Sequence, residues 1–181
     1  MSAQEWNGGA ELAGTVRLAS GCLVRFRLAN PDDEPLIAEA FRTASAQTRL
    51  QRFLAPLPSL SSDQLRRMLT IDPEREICFV GCIRSEGKEQ IICGARYVRL
   101  EDPTVAEIAL TVHDNYQRAG LGRFLLRKLI EVARRNGIRR FVGDVLATNT
   151  AMMRLLNRAG HVVRANLKEG VYPIEVDLKP A

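Results

Sequence analysis

Along the first third of the chain, apolar and polar residues alternate in short runs. Thr15 to Leu18 and Cys22 to Leu28 are β-prone around Ser20-Gly21, and Val24, Phe26 and Leu28 alternate with Arg25 and Arg27. A period of two sends each set to its own face, which predicts a hairpin leading into the first core strand. Then the period changes. Asn30-Pro31-Asp32-Asp33 supplies a cap, a proline for the first helical position and acid for the first turn, and Leu36, Ile37, Ala40 and Phe41 recur at helical spacing. Pro56 and Pro58 interrupt the chain; Ser61-x-x-Gln64 reads as a capping box opening a short second helix through Leu65, Met68 and Leu69 that stops before Pro73.

Three strand-like runs follow. Ile77 to Ile83 and Ile91 to Leu100 flank a turn at Ser85-Glu86-Gly87-Lys88, and Ala106 to Val112 comes after Asp102-Pro103, which together predict an antiparallel meander. Leu121, Phe124, Leu125, Leu129, Val132 and Ala133 then mark one face of a long helix ending at Asn136-Gly137. Phe141 to Leu146 reads as a strand, Asn149 to Arg158 as a helix closed by Gly160, and Val162–Val163 and Val171–Leu178 as two last strands around Lys168-Glu169-Gly170. The predicted order is β-α-α-β-β-β-α-β-α-β-β: an α/β (α+β) domain with a mixed, mostly antiparallel sheet of about seven strands and helices on both faces. Residues 1–13 carry no periodic pattern and read as a flexible N-terminal arm, leaving 14–181 as a single domain.

Composition narrows the class. With 181 residues, 46% hydrophobic and 26% charged, the chain is the size of one domain and fits neither a disordered nor a coiled-coil class. No apolar run approaches the roughly 18 residues of a membrane helix, and Glu5 and Glu11 stand where a secretory signal wants positive charge, so the expectation is a cytoplasmic protein with no membrane partner. Cys22, Cys78, Cys82 and Cys93 form no CxxC pair and lie in strand-like runs, far from His113 and His161; free thiols and no metal are expected. Charge is uneven. From Arg118 to Arg164 eleven basic residues face only Glu131 and Asp144, a local net of +9 in a chain of +5, which suits an anionic partner or a solvated helix face. Nucleic acid is disfavoured as that partner, because the basic residues lack interleaved aromatics and no binding motif appears.

Candidate chemistry lies between the third meander strand and the long helix, at Gln117-Arg118-Ala119-Gly120-Leu121-Gly122. Glycines at a strand-to-helix junction let backbone N–H groups close around an anion while the helix start adds partial positive charge, so a pyrophosphate suits the corner; an ordinary turn is the plain alternative. There is no GKS or GKT ending and no GxGxxG, so neither a nucleoside triphosphate P-loop nor a dinucleotide fingerprint is present.

The stretch from Ala106-Glu107-Ile108-Ala109 through Gly120-Leu121-Gly122-Arg123 closely resembles the central motif of the GNAT acetyltransferase family, with its Q/R-x-x-G-x-G/A signature. Asn149 falls where that family has an asparagine after its fifth core strand, and Arg158-Ala159-Gly160-His161 where it reads K-x-G-F. Within the family, Arg25 to Asp33, Thr48 to Phe53 and Ala106 to Ala109 look most like the catalytic domain of bacterial Pat-type protein lysine acetyltransferases.

The resemblance implies the GNAT fold and acetyl-CoA as donor. It places the pyrophosphate on the amides of Gln117, Arg118, Ala119, Gly120, Leu121 and Gly122, with Arg123 following. It places the pantetheine arm in a V-shaped opening between the fourth and fifth core strands, along the backbone of Leu110, Thr111 and Val112, where the Val112 amide would polarise the thioester carbonyl. Asn149 would orient the arm from the other side, or would simply cap a helix. The first two helices would flank the acceptor groove, with loops near Arg49 to Leu60 shaping it.

Transfer to an amine needs that amine neutral, whereas a free lysine has a pKa of about 10.4. Glu107, between small and apolar strand neighbours and on one face with Ala109 and Thr111, is the expected general base; a carboxylate on a wet sheet face, or one paired with an arginine, is the alternative. The position that often holds a tyrosine acid in the family is Leu156 here, with Tyr116 and Tyr172 as weak substitutes. The expected activity is N-acetyl transfer to protein lysine side chains. A small amine or amino acid acceptor, or a non-catalytic acetyl-CoA sensor, are the alternatives.

Overall fold

The computed structural model describes residues 12–158, 162–164 and 167–178, the strand 162–164 by its backbone. Strands β1 (Gly14–Arg17) and β2 (Leu23–Leu28) form the predicted hairpin, followed by helices α1 (Glu34–Thr43), α2 (Ala46–Phe53) and α3 (Ser62–Leu69). Then come β3 (Glu76–Ser85), β4 (Lys88–Arg99), β5 (Val105–Val112), α4 (Leu121–Arg135), β6 (Arg140–Leu146), α5 (Thr150–Arg158), β7 (Val162–Arg164) and β8 (Val171–Asp177). The sheet has eight strands in the order β1-β2-β3-β4-β5-β6-β8-β7, against the expected seven or so, because the leading hairpin contributes a paired edge strand of its own. Every neighbouring pair is antiparallel except β5–β6.

Local chemistry fixes the ends. Asn30 caps a 3₁₀ turn over Pro31–Asp33, with Asp33 returning a bond to the Asn30 amide, and α1 starts one residue later. Ser61 and Gln64 form the expected capping box on α3. The β3–β4 turn puts Glu86 and Gly87 both at positive φ (51° and 78°), the geometry that matches strand twist in a two-residue hairpin.

Two cores lie on opposite faces of the sheet. The larger packs Phe26, Phe79, Tyr97 and Phe141 against Leu121, Leu125, Leu129 and Val132 of α4 and Leu156 of α5. The smaller packs Val80, Cys82 and Ile91 against α1 and α3 through Ile37, Ala40 and Leu69. Leu12, assigned above to the arm, is 3% exposed and belongs to the larger core, so the domain edge lies at least as early as Leu12; the rest of the arm falls outside the described residues. All four cysteines are free: Cys82 and Cys93 are buried and Cys22 and Cys78 half-buried, and burial pushes the Cys82 thiol up to about 11 and the Cys93 thiol up to about 12. Among the described residues no helix is long and apolar enough to cross a membrane.

Helix α2 was not predicted. Ala46, Leu50 and Phe53 recur at helical spacing, but Ala46 and Leu50 are exposed and Thr48 is its one buried residue, with Ser45 capping it by accepting from the Thr48 amide. What holds it is polar: the Asp114 carboxylate, just past β5, accepts from the Ser45 amide (2.8 Å), the Ser45 hydroxyl (2.7 Å) and the Thr48 hydroxyl (2.8 Å). The segment expected to be a groove-shaping loop from Arg49 is thus helical as far as Phe53, with Leu54 at φ 55° ending it.

Candidate active site

Strands β5 and β6 pair over three residues only, Val105↔Arg140, Ala106↔Phe141 and Glu107↔Val142, and beyond that point no strand among the described residues pairs with the edge of β5 away from β4. This is the expected fork. The His113 amide donates to the Ile92 carbonyl on β4 (2.8 Å), so by alternation the backbone groups of Leu110 and Val112 turn the other way, into the gap. One of them is already occupied: the Gln117 side chain donates to the Val112 carbonyl (3.1 Å) and to the Thr48 hydroxyl (3.2 Å). The Val112 amide and both groups of Leu110 have no strand opposite them, as a buried backbone edge requires when a ligand is to complete it. Thr111 parts company with its neighbours: its side chain shares a face with Ala109 and Glu107, and its hydroxyl is buried with no hydrogen-bond partner.

At the far end of the gap, Arg118 and Gly120 both adopt left-handed backbone (φ 61° and 86°), and α4 begins with no side chain capping its first amides. Those N–H groups, from Leu121, Gly122 and Arg123, have no intrahelical acceptor. Leu121 sends its side chain into the core at 2% exposure, so it offers only its amide, whereas Arg118, Ala119 and Arg123 are exposed. A Cβ on Gly122 would meet only Leu155 Cδ2 at 3.5 Å, an ordinary contact. The protein's own packing does not call for glycine there. The corner fits the pyrophosphate that the sequence suggested.

Glu107 sits in the last β5–β6 pair, at the branch point of the fork. It is exposed, and among the described residues no arginine or lysine stands within ion-pair distance of it. The cleft around it is walled by Gln51 and Arg52 from α2 and Leu54 just after it, by Ile108 to Leu110, by Gly143 to Val145, and by Asn149, Met152 and Leu156. Asn149 does cap α5, its Oδ1 accepting from the Met152 amide at 3.1 Å, and it lines the cleft as well, which leaves its Nδ2 for a ligand. Leu156 is fully buried. Tyr116 packs against His113 (ring centroids 6.3 Å apart) and Tyr172 packs on the larger core; neither lines the cleft.

Sequence reasoning gave no role to Arg52. Burial holds its guanidinium below the usual arginine range, a push to which Arg96 adds and which Cys78 and Glu107 oppose; it still carries its charge at any ordinary pH. Its carbon end lies 5.0 Å from the centre of the Phe53 ring. Nothing in the period of the α2 sequence marks this residue, because its position depends on a helix that polar contacts hold. His161 and the Ala159-Gly160 pair lie outside the described residues.

Comparison with known proteins agrees with this geometry. The family model described as Acetyltransferase (GNAT) family matches residues 39–161. The acetyltransferase PA5475 of Pseudomonas aeruginosa is 32% identical over 145 residues, covering 80% of this chain and 78% of the relative. The acetyltransferase Pat of Mycolicibacterium smegmatis is 45% identical over 92 residues, half of this chain but 27% of Pat. Among solved structures, the GNAT domain of S. lividans PAT superposes with a TM-score of 0.80 at 27% identity, covering 98% of this chain and 99% of that one. The yncA acetyltransferase of Salmonella typhimurium, solved with its cofactor acetyl-CoA, shares the fold with a TM-score of 0.67 at 20% identity, covering 87% and 95%.

Proposed function

Because the chain belongs to the GNAT family of acetyltransferases, we propose that it moves an acetyl group from acetyl-CoA to the side-chain amine of a protein lysine. The observation that carries the donor is the fork: a sheet whose middle pair is three residues long, leading to a glycine corner with uncapped amides. The lysine acceptor is supported by likeness to the Pat-type proteins over the catalytic domain.

Bound acetyl-CoA supplies the activated acetyl group and the departing thiolate. The chain's own residues do the rest. The uncapped amides of Leu121, Gly122 and Arg123 would hold the pyrophosphate, and the backbone of Leu110 and Val112 would pair with the pantetheine arm in place of a strand partner. The Val112 N–H, which faces the gap, would meet the developing negative charge on the carbonyl oxygen as a fixed donor that needs no reorganisation. Glu107, at the branch point and open to solvent, takes a proton from the acceptor's ammonium, directly or through a water, and the neutral amine then attacks the thioester. With Leu156 apolar and buried, no side chain of the cleft stands ready to protonate the thiolate; a thiol of pKa of about 8.5 leaves without such help.

The test is incubation of the protein and labelled acetyl-CoA with cell extract. Label is expected in protein bands and on lysine after digestion; label confined to small molecules overturns the lysine acceptor and leaves the donor. The buried Leu156 favours a second reading, an acetyl-CoA sensor without turnover, which would bind acetyl-CoA in calorimetry yet release no free CoA with any amine.

A further inference from the structure

A second cavity lies on the other side of Arg52, between helices α1 and α2 and the sheet face that carries Ala109 and Thr111. Arg52 and Ala109 line both this cavity and the Glu107 cleft, so the two spaces share a wall. Its surface is mostly apolar, with Phe41, Val80 and Ala109 among its walls, yet it also holds cationic groups. Arg96 is answered at both terminal nitrogens, by Glu76 and by the Met68 carbonyl, with only its Nε left over. Arg49 and Arg52 are not: among the described residues neither has a carboxylate within ion-pair distance, and each guanidinium is instead stacked on a ring, Arg49 on Phe41 at 5.4 Å and Arg52 on Phe53 at 5.0 Å. Stacking fixes where the charge sits without neutralising it. The Arg49 Nε and the Thr111 hydroxyl are buried with no hydrogen-bond partner, and Asp114, which reaches the rim through Thr48, is taken up by Ser45 and Thr48. The Arg49 Nε and the Thr111 hydroxyl, buried without a partner beside an apolar space, are costly unless a ligand supplies the missing acceptor and donor.

We propose that this cavity binds a carboxylate on a short apolar stem, the carboxylate meeting Arg49, Arg52 and the Thr111 hydroxyl and the stem lying against Phe41, Val80 and Ala109. Two sources share that chemistry: the free end of a dicarboxylic acyl group carried on CoA and reaching across the common wall, or a free carboxylic acid. The first source rests on the reading of the fork as an acyl-CoA site; the second does not.

Calorimetry on the full chain with two matched pairs decides it, succinyl-CoA against butyryl-CoA and pentanoate against pentanamide. The carboxylate member of at least one pair is expected to bind about tenfold or more tighter, the usual worth of a charge-assisted hydrogen bond, and the pair that shows it names the source. Arg49→Met should erase that preference while CoA itself binds within about threefold of its original affinity, and Arg49→Lys should keep part of the preference. Equal affinity within both pairs, or no binding by either pentanoate or succinyl-CoA in a protein that still binds CoA, overturns the proposal. If CoA fails to bind, the fork reading falls, and the pentanoate pair alone still decides the cavity.

Discussion

Glu107 owes its chemical prospects to its address. The alternation of Ala106 to Val112 put it on one face with Ala109 and Thr111, and the structure adds that this face carries the cleft and that the residue stands where β5 loses its parallel partner. Replacing Glu107 by Gln keeps the shape and removes the base, so turnover should fall by about a hundredfold or more while acetyl-CoA binds in calorimetry as before. Unchanged turnover would take the residue out of the reaction. Asn149 illustrates a double use: its Oδ1 caps α5 as a plain cap would, while its side chain also borders the cleft. The cap is borne out, and the packing sets the same side chain at the cleft, where the other reading needs it.

At the level of elements, the glycine corner separates what folding needs from what binding needs. Gly120 serves the backbone, at φ 86°, whereas Gly122 is helical and has no tight neighbour. Gly122→Ala should therefore leave thermal stability unchanged or raise it by about 0.5–1 kcal/mol, the ordinary gain of alanine over glycine in a helix, and yet weaken acetyl-CoA binding, since the added methyl occupies the ligand's approach. A stability loss with unchanged affinity would mean that the corner is only a turn. The hairpins, the capping box of α3, the amphipathic α4 and the order of elements along the chain could all be read from period and punctuation because each is a local pattern, whereas the place of β8 between β6 and β7 is not. Helix α2 could not. Its fixed points are Ser45 and Thr48 on Asp114, partners some seventy residues away, and with it went Arg52 and the wall between the two cavities.

Taken as a whole, the domain leans on carboxylates held ionised by their partners. Burial pushes the Asp33 carboxyl up, but the paired bonds from Arg27 (2.6 and 2.8 Å) and the Asn30 amide outweigh it and hold it below the usual range. Asp114 is likewise pushed up by burial and held low by Ser45 and Thr48. A carboxyl whose native pKa lies below its unfolded value of about 3.9 lends stability above that value and loses it as pH falls through the native one, since the unfolded chain then binds more protons. Thermal unfolding followed against pH should be level from neutrality to about pH 4 and fall steeply below it. Asp33→Asn should cost stability at neutrality and flatten the acid limb; an acid limb of the same slope in that variant would place the dependence elsewhere.

Eight strands cross the molecule, but at their middle only three parallel rungs join β1–β5 to β6–β8. Such a sheet is two wings on a short spine, and a guest that lies along the open seam acts as a ninth, borrowed strand. Amide hydrogens of Leu110 and Val112 should then exchange with heavy water far more slowly when acetyl-CoA is present, while those of Ala109 and Thr111, already laced to β4, barely change. Equal slowing at all four would mean that the wings merely stiffen, with no new lacing between them.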